Sequence, residues 1–284
     1  IDTCIGVEDE CGVCNGPGPT EVVIDDITIL YDSVYAENID TWFVYEIGQD
    51  TTFSYTCAPF FGGCGDPVGH QGYDYATVLI GDQCWFAENL RSENYENGDA
   101  IPSNLSDSEW SSTTSGAVAV YGEDGGCNNY SPDIDACDPA QSLEEYGRLY
   151  NWHAVDDARG LCPSGWHVPT DGEWMTMEMA LGMSEAEANS TGYRGTDQGT
   201  QMKTDYGWAG GGNGTNSSGF SGLPGGYRDV NGNFLTAGNV GGWWSSSPYG
   251  AYAWNRFLFS NENVYRSNYN QRSGFSVRCV RDAE

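Results

Sequence analysis

The sequence predicts an α+β protein: a loop-rich domain of short helices and antiparallel strands, preceded by an N-terminal β extension. Three observations carry that expectation. Helical signals are confined to the middle of the chain, between residues 144 and 189. Short runs rich in β-branched and aromatic residues recur on either side, bounded by Gly, Asn and Asp. The 284 residues include 39 Gly, 10 Cys, 10 Trp, 18 Tyr and 10 Phe, which supply turns, staples and a core together.

In chain order, residues 1–19 form a Cys-rich acidic head or spacer with almost nothing apolar to bury. Disulfides, cations or docking must order such a stretch. Residues 20–61 read as the β extension: a strand over Thr20–Tyr31, a second over Thr41–Ile47 and the start of a third at Thr52–Tyr55. Val23, Ile24, Ile27, Ile29 and Tyr31 leave the first strand apolar on both faces in places, which is poor for a free edge. It reads either as an ordinary covered strand or as one lent to a neighbouring subunit. Residues 62–284 form the main domain. Tyr75–Ile80 is a strand that turns at Gly81-Asp82 into a return strand, Gln83–Ala87. An Asn/Ser/Gly/Asp-rich region follows to about residue 140, then a helix over Glu144–Val155. Asp171–Leu181 is a second helix, with Thr170 and Glu173 in a capping box, and Ser184 with Glu187 repeats that pattern. Asp229-Val230-Asn231-Gly232-Asn233 is a hairpin signal, and Gly274–Val280 is the last strand.

Charge narrows the function. There are 41 acidic residues against 11 Lys and Arg, a net −30, which repels nucleic acid and anionic membranes. No apolar run is long enough to span a bilayer. The first 90 residues hold 16 acids and no Lys or Arg, whereas Arg256, Arg266, Arg272, Arg278 and Arg281 cluster late. That asymmetry predicts head-to-tail attraction between copies, or docking within one chain. Arg278 and Arg281 lie three apart on the last strand and point to opposite faces, so one could be buried against an acid and the other exposed. Ten Cys beside only three scattered His read as a disulfide framework, and so as an extracellular or cell-surface protein. The start at Ile1, with no hydrophobic signal region, fits a mature secreted product. Spacing makes Cys57–Cys64 and Cys127–Cys137 local staples.

Six ordered motifs carry a family likeness: YATVLIGDQCWFAENLR (75–91), YGRLYNWHAV (146–155), GLCPSGWHVPTDGEW (160–174), GFSGLPGGYRDVNGNF (219–234), GGWWSSSPY (241–249) and GFSVRCVRD (274–282). In this order they resemble the Fibrobacter succinogenes major paralogous domain of Bacteroidota surface and secreted proteins. The likeness implies a variant of the C-type-lectin-like fold, within the formylglycine-generating-enzyme superfamily. The head resembles Cys-rich spacers found upstream of that domain. The catalytic cysteine pair of formylglycine-generating enzymes has no counterpart in residues 241–272, so no enzyme activity is expected. Cys162 and Cys279, in two of these motifs, are expected to be bonded. That leaves Cys4, Cys11, Cys14 and Cys84, with three possible pairings.

Other catalytic patterns are missing as well: His70, His153 and His167 are isolated, and no nucleophile elbow or P-loop occurs. Trp243, Trp244, Tyr249 and Trp254 form an aromatic cluster that either packs in the core or stacks on sugar rings. Calcium is the expected cofactor, with Asp2, Glu8, Asp9 and Glu10 in the head, and Asp229, Asn231 and Asn233 in the hairpin loop, as candidate ligands. A plain turn is favoured at the latter three, because no acid follows at the closing distance. The expected function is a secreted structural or adhesive protein that polymerises with copies of itself through its N-terminal segment. The alternative is a calcium-dependent adhesin module binding surface glycans.

Overall fold

The computed structural model describes residues 63–282 and, ahead of them, the backbone of three short strands. The chain divides into two compact units, Ile1–Phe61 and Gly62–Glu284. In the first, β1 (Glu21–Ile24), β2 (Ile27–Leu30) and β3 (Phe53–Thr56) form an antiparallel sheet in the order β2-β1-β3. The strand expected over Thr20–Tyr31 is therefore two strands, with Ile24 paired to Ile27 across the acidic pair Asp25-Asp26. Acidic residues are poor strand formers, which accounts for the division. Tyr31 and the strand expected over Thr41–Ile47 lie outside the described residues.

The second unit opens with the hairpin of β4 (Val68–His70) and β5 (Tyr73–Tyr75), then β6 (Thr77–Ile80) and β7 (Gln83–Phe86) about the expected Gly81-Asp82 turn. Helix α1 (Asp107–Ser112) and strands β8 (Val118–Ala119) and β9 (Cys127–Asn129) lie in the Asn- and Gly-rich region. Helix α2 (Pro139–Tyr146) then stops at Gly147, and β10 (Leu149–Asn151) and α3 (Trp152–Val155) follow. The continuous helix expected over Glu144–Val155 is thus broken. Gly147 takes φ 69°, and a Cβ there would lie 3.0 Å from the carbonyl oxygens of Asn89 and Leu90. Close backbone approach decides the turn, not helix propensity.

Helices α4 (Asp171–Ala180) and α5 (Glu185–Asn189) carry the capping boxes expected from Thr170/Glu173 and Ser184/Glu187. Then come β11 (Gly192–Arg194), α6 (Gln198–Met202), and the β12 (Tyr227–Arg228) and β13 (Phe234–Ala237) hairpin around Asn231-Gly232. The last strands are β14 (Gly241–Tyr249), β15 (Tyr252–Leu258), β16 (Val264–Asn270), β17 (Gly274–Phe275) and β18 (Val280–Asp282). One sheet runs β11-β16-β15-β14, a second β8-β10-β17-β12-β13-β9, and a third β18-β7-β6. The single last strand expected over Gly274–Val280 is divided, because the chain leaves the second sheet after Phe275 and joins the third at Val280.

The main core gathers Trp85, Trp174, Met177, Phe220, Trp243 and Leu258, and a second cluster surrounds Trp110, Tyr121 and Phe234. Disulfides join Cys127 to Cys137 and Cys162 to Cys279, as expected. The pairing Cys57–Cys64 is corrected: Cys64 bonds Cys84, with Cα atoms 5.6 Å apart. The Cys64 loop is pinned beside β6 and β7, where Gly65 N donates to Thr77 Oγ1 and Thr77 Oγ1 donates to the Asp66 carbonyl, each at 2.8 Å. Cys57 lies outside the described residues. No helix among the described residues is long and apolar enough to cross a membrane.

Four of the five late arginines are buried and offer little exposed charge for the head-to-tail attraction expected of them, while Arg272 is partly buried. Arg256 and Arg278 are fully buried, and Arg266 and Arg281 nearly so. Arg278 meets carbonyls instead of an acid: it donates to Phe86 O and Phe220 O at 2.8 Å, and to Ser221 O at 3.0 Å. Arg281 is buried as well, so the expected split between one buried and one exposed arginine does not hold.

Candidate functional site

The four-stranded sheet places alternate side chains on two faces. Against α4, the guanidiniums of Arg194, Arg256 and Arg266 interleave with Glu178 and Asp171. Glu178 accepts from Arg194 at 2.6 and 2.8 Å and from Arg256 at 2.7 Å, while Asp171 accepts from Arg256 at 2.6 Å and Arg266 at 2.5 Å. The residues between them in sequence build an aromatic layer on the other face. There the rings of Tyr193 and Tyr265 lie 4.8 Å apart, and those of Phe257 and Tyr269 5.2 Å. Phe275 of β17 covers part of this layer, 5.0 Å from Phe257 and 5.5 Å from Tyr269.

Where the cover ends, a groove of about 370 Å³ opens, lined by Tyr227, Asp229, Tyr252, Asn268, Tyr269 and Asn270. Tyr252 and Tyr269 are 46% and 37% exposed, so their rings remain available to a ligand. Among the described residues, the hydroxyls of Tyr227, Tyr252 and Tyr269 and the Asn268 amide have no hydrogen-bond partner. Burial pushes the Tyr227 and Tyr269 hydroxyls up from their ordinary values, so both stay protonated donors at neutral pH. Aromatic faces beside open donors and acceptors suit a ligand that is apolar on its ring faces and hydroxylated at its edges.

The sequence candidates fall apart spatially. Trp243 and Trp244 are fully buried, which removes them as a stacking surface. Trp243 Nε1 donates to Asn89 Oδ1 and Trp244 Nε1 to Tyr150 O, both at 2.8 Å, so even their polar atoms are consumed inside. Tyr249 is 54% exposed and packs on Trp254, with ring centroids 5.1 Å apart. Trp254 in turn stacks 4.0 Å from the Arg266 guanidinium. Tyr227, Tyr252 and Tyr269 escaped the sequence reading, because single tyrosines in short strands are unremarkable until the strands are paired.

In the hairpin loop, Asp229 Oδ1 accepts from Asn231 N at 2.8 Å and from Asn233 N at 2.9 Å, and Asn233 Nδ2 lies 3.1 Å from Oδ2. Donors face this carboxylate, as in a turn that satisfies itself. Among the described residues no group of three or more His, Cys, Asp or Glu is placed to hold a metal ion. Asp2, Glu8, Asp9 and Glu10 lie outside the described residues. The histidines serve the fold: His70 bonds Leu161 O at 3.0 Å, and His167 meets Glu173 Oε1 at 2.6 Å. The Glu173 carboxylate raises the His167 pKa, whereas burial lowers that of His153.

A second depression, of about 560 Å³, lies on the same unit between the end of β7 and α2, lined by Tyr73, Glu88, Arg91, Glu144, Glu145 and Tyr206.

Residues 78–281 match the family model described as the Fibrobacter succinogenes major domain. No curated protein and no solved structure matches the chain.

Proposed function

This chain belongs to the Fibrobacter succinogenes major domain family, and from that premise we propose a secreted, non-enzymatic adhesive protein of lectin-like fold that holds a polysaccharide in the tyrosine groove. The observation that carries this reading is the conjunction of exposed Tyr252 and Tyr269 rings with unengaged hydroxyls and the Asn268 amide along one groove. The acidic balance of the chain selects against anionic polymers, so the preferred ligand is a neutral glycan. Three disulfides among the described residues suit an oxidising, extracellular setting.

Affinity electrophoresis through gels containing neutral polysaccharides tests this. The protein is retarded by at least one of them, and Tyr252→Ala with Tyr269→Ala abolishes the retardation. EDTA leaves it unchanged, because the groove's single carboxylate is already occupied by its own turn. Retardation that survives the double substitution removes the groove from the account.

Self-assembly is supported by a different feature. In the β2-β1-β3 sheet, β2 and β3 each have one edge without a partner among the described residues, and such an edge is a template for another chain. Electron microscopy of the protein with and without residues 1–31 decides it. Polymers form only with the segment present; equal behaviour of the two forms contradicts assembly through this segment.

A further inference from the structure

The aromatic layer does not end at the groove. Strand β11 pairs with Val264–Arg266 of β16, so the β16 edge from Ser267 to Asn270 has no strand partner among the described residues. The groove lies against that open stretch, since Asn268, Tyr269 and Asn270 line it. Where the open edge stops, β11 begins, and it sets Tyr193 directly beside Tyr265.

Tyr193 is 56% exposed, and it lies 4.8 Å from the Tyr265 ring and 5.6 Å from that of Phe259. Tyr265 and Phe259, 5.9 Å apart, are themselves partly exposed. Three touching rings at the surface make a patch and not a scattered residue. Among the described residues, neither the Tyr193 nor the Tyr265 hydroxyl has a hydrogen-bond partner. The patch thus repeats the groove's chemistry, exposed ring faces with unspent hydroxyls at their edges.

Ring contacts lead without a break from this patch to the groove. Tyr265 lies 6.4 Å from Phe257, which lies 6.2 Å from Tyr227 and 5.2 Å from Tyr269, and these last two line the groove. Tyr265 and Tyr269 stand four residues apart on one face of β16, a separation of about 13 Å. A disaccharide seated in the groove falls short of that span, whereas a longer chain running along β16 covers it. Continuity of the strip therefore makes the groove's own ligand its occupant. To stack at both ends, that chain must present flat apolar faces at regular intervals, as β-linked sugars with equatorial hydroxyls do. We propose that Tyr193, Tyr265 and Phe259 form a second subsite for a linear, β-linked neutral polysaccharide lying along β16. This rests on the groove reading and adds to it the class of ligand and the length of chain that the site reads.

Isothermal titration with cellobiose and cellohexaose tests the assignment. The parent binds cellohexaose about tenfold more tightly than cellobiose, or better. Tyr193→Ala weakens cellohexaose about tenfold and leaves cellobiose unchanged, whereas Tyr193→Phe, which keeps the ring, retains tight binding of the long chain. Tyr193 is mostly at the surface, so the alanine variant unfolds at the parent's temperature. Tyr252→Ala with Tyr269→Ala abolishes binding of both probes. Cellobiose bound equally by that double variant removes the groove reading. Cellohexaose bound equally by Tyr193→Ala, or no more tightly than cellobiose by the parent, overturns the second subsite alone. Failure of the parent to bind either probe overturns the β-linked class, and retardation in polysaccharide gels then judges the groove by itself.

Discussion

The two faces of the β11-β16-β15-β14 sheet are written by alternate residues of the same strands, yet they solve opposite problems. On the face toward α4, charge is driven inside and paired: Arg194, Glu178, Arg256, Asp171 and Arg266 form one continuous chain of contacts, with Arg194 Nε left unmet. The other face carries the aromatic layer that includes Tyr265, Phe257 and Tyr269, and the groove opens at the end of the sheet, where Tyr269 of that layer meets Tyr252 and Asn268 from the arginine side. Buried charge costs several kcal/mol per ion unless each partner is met, so the first face can tolerate no loss. The second packs Phe257 and Tyr269 under Phe275 and leaves rings exposed only where that cover ends.

The sharpest way to break that contrast is to remove the shared acid. Glu178→Ala leaves Arg194 and Arg256 buried without their carboxylate and costs about 3–5 kcal/mol of stability, read by chemical denaturation. A cost under 1 kcal/mol would mean the network is dispensable.

A milder perturbation is acid. Although burial opposes ionisation of Asp171, Arg266 and Arg256 hold its pKa below the ordinary carboxylate value. A depressed folded-state pKa contributes stability at pH values above the unfolded pKa, near 3.9, which is lost as pH falls through the folded value. Stability therefore declines below about pH 4, and Asp171→Asn, though less stable throughout, shows a shallower decline there. An unaltered slope would detach Asp171 from the acid response.

The smallest effects on folding belong to the groove. Tyr252→Ala costs about 1 kcal/mol or less, and Tyr269→Ala about 1–2 kcal/mol, because the Tyr269 ring packs on Phe257 and Phe275.

Much of the fold was legible in the sequence where the signal is local. The capping boxes at Thr170 and Ser184, the Gly81-Asp82 turn and the Asn231-Gly232 hairpin rest on interactions within a few residues, and each formed as read. The misreadings share a different origin. Gly147 breaks a helix because of carbonyls contributed from residues 89 and 90. Cys64 chooses Cys84 over the nearer Cys57 because loop and strand are brought together by folding. The Trp243-Trp244 pair looked like a binding platform, but a ladder and a second sheet enclose it. The groove itself joins residues 227, 252 and 269, which no sequence period connects.

The central claim is that the groove at the sheet's end binds the glycan while the buried charge network beside α4 holds the fold, so the groove tyrosines can be lost without loss of the fold. Its most direct test measures both properties on one variant: retardation by neutral polysaccharide and thermal unfolding of Tyr252→Ala with Tyr269→Ala. The account predicts a protein that unfolds within a few degrees of the parent and is no longer retarded. A variant that keeps its retardation, or loses it only by unfolding, contradicts it.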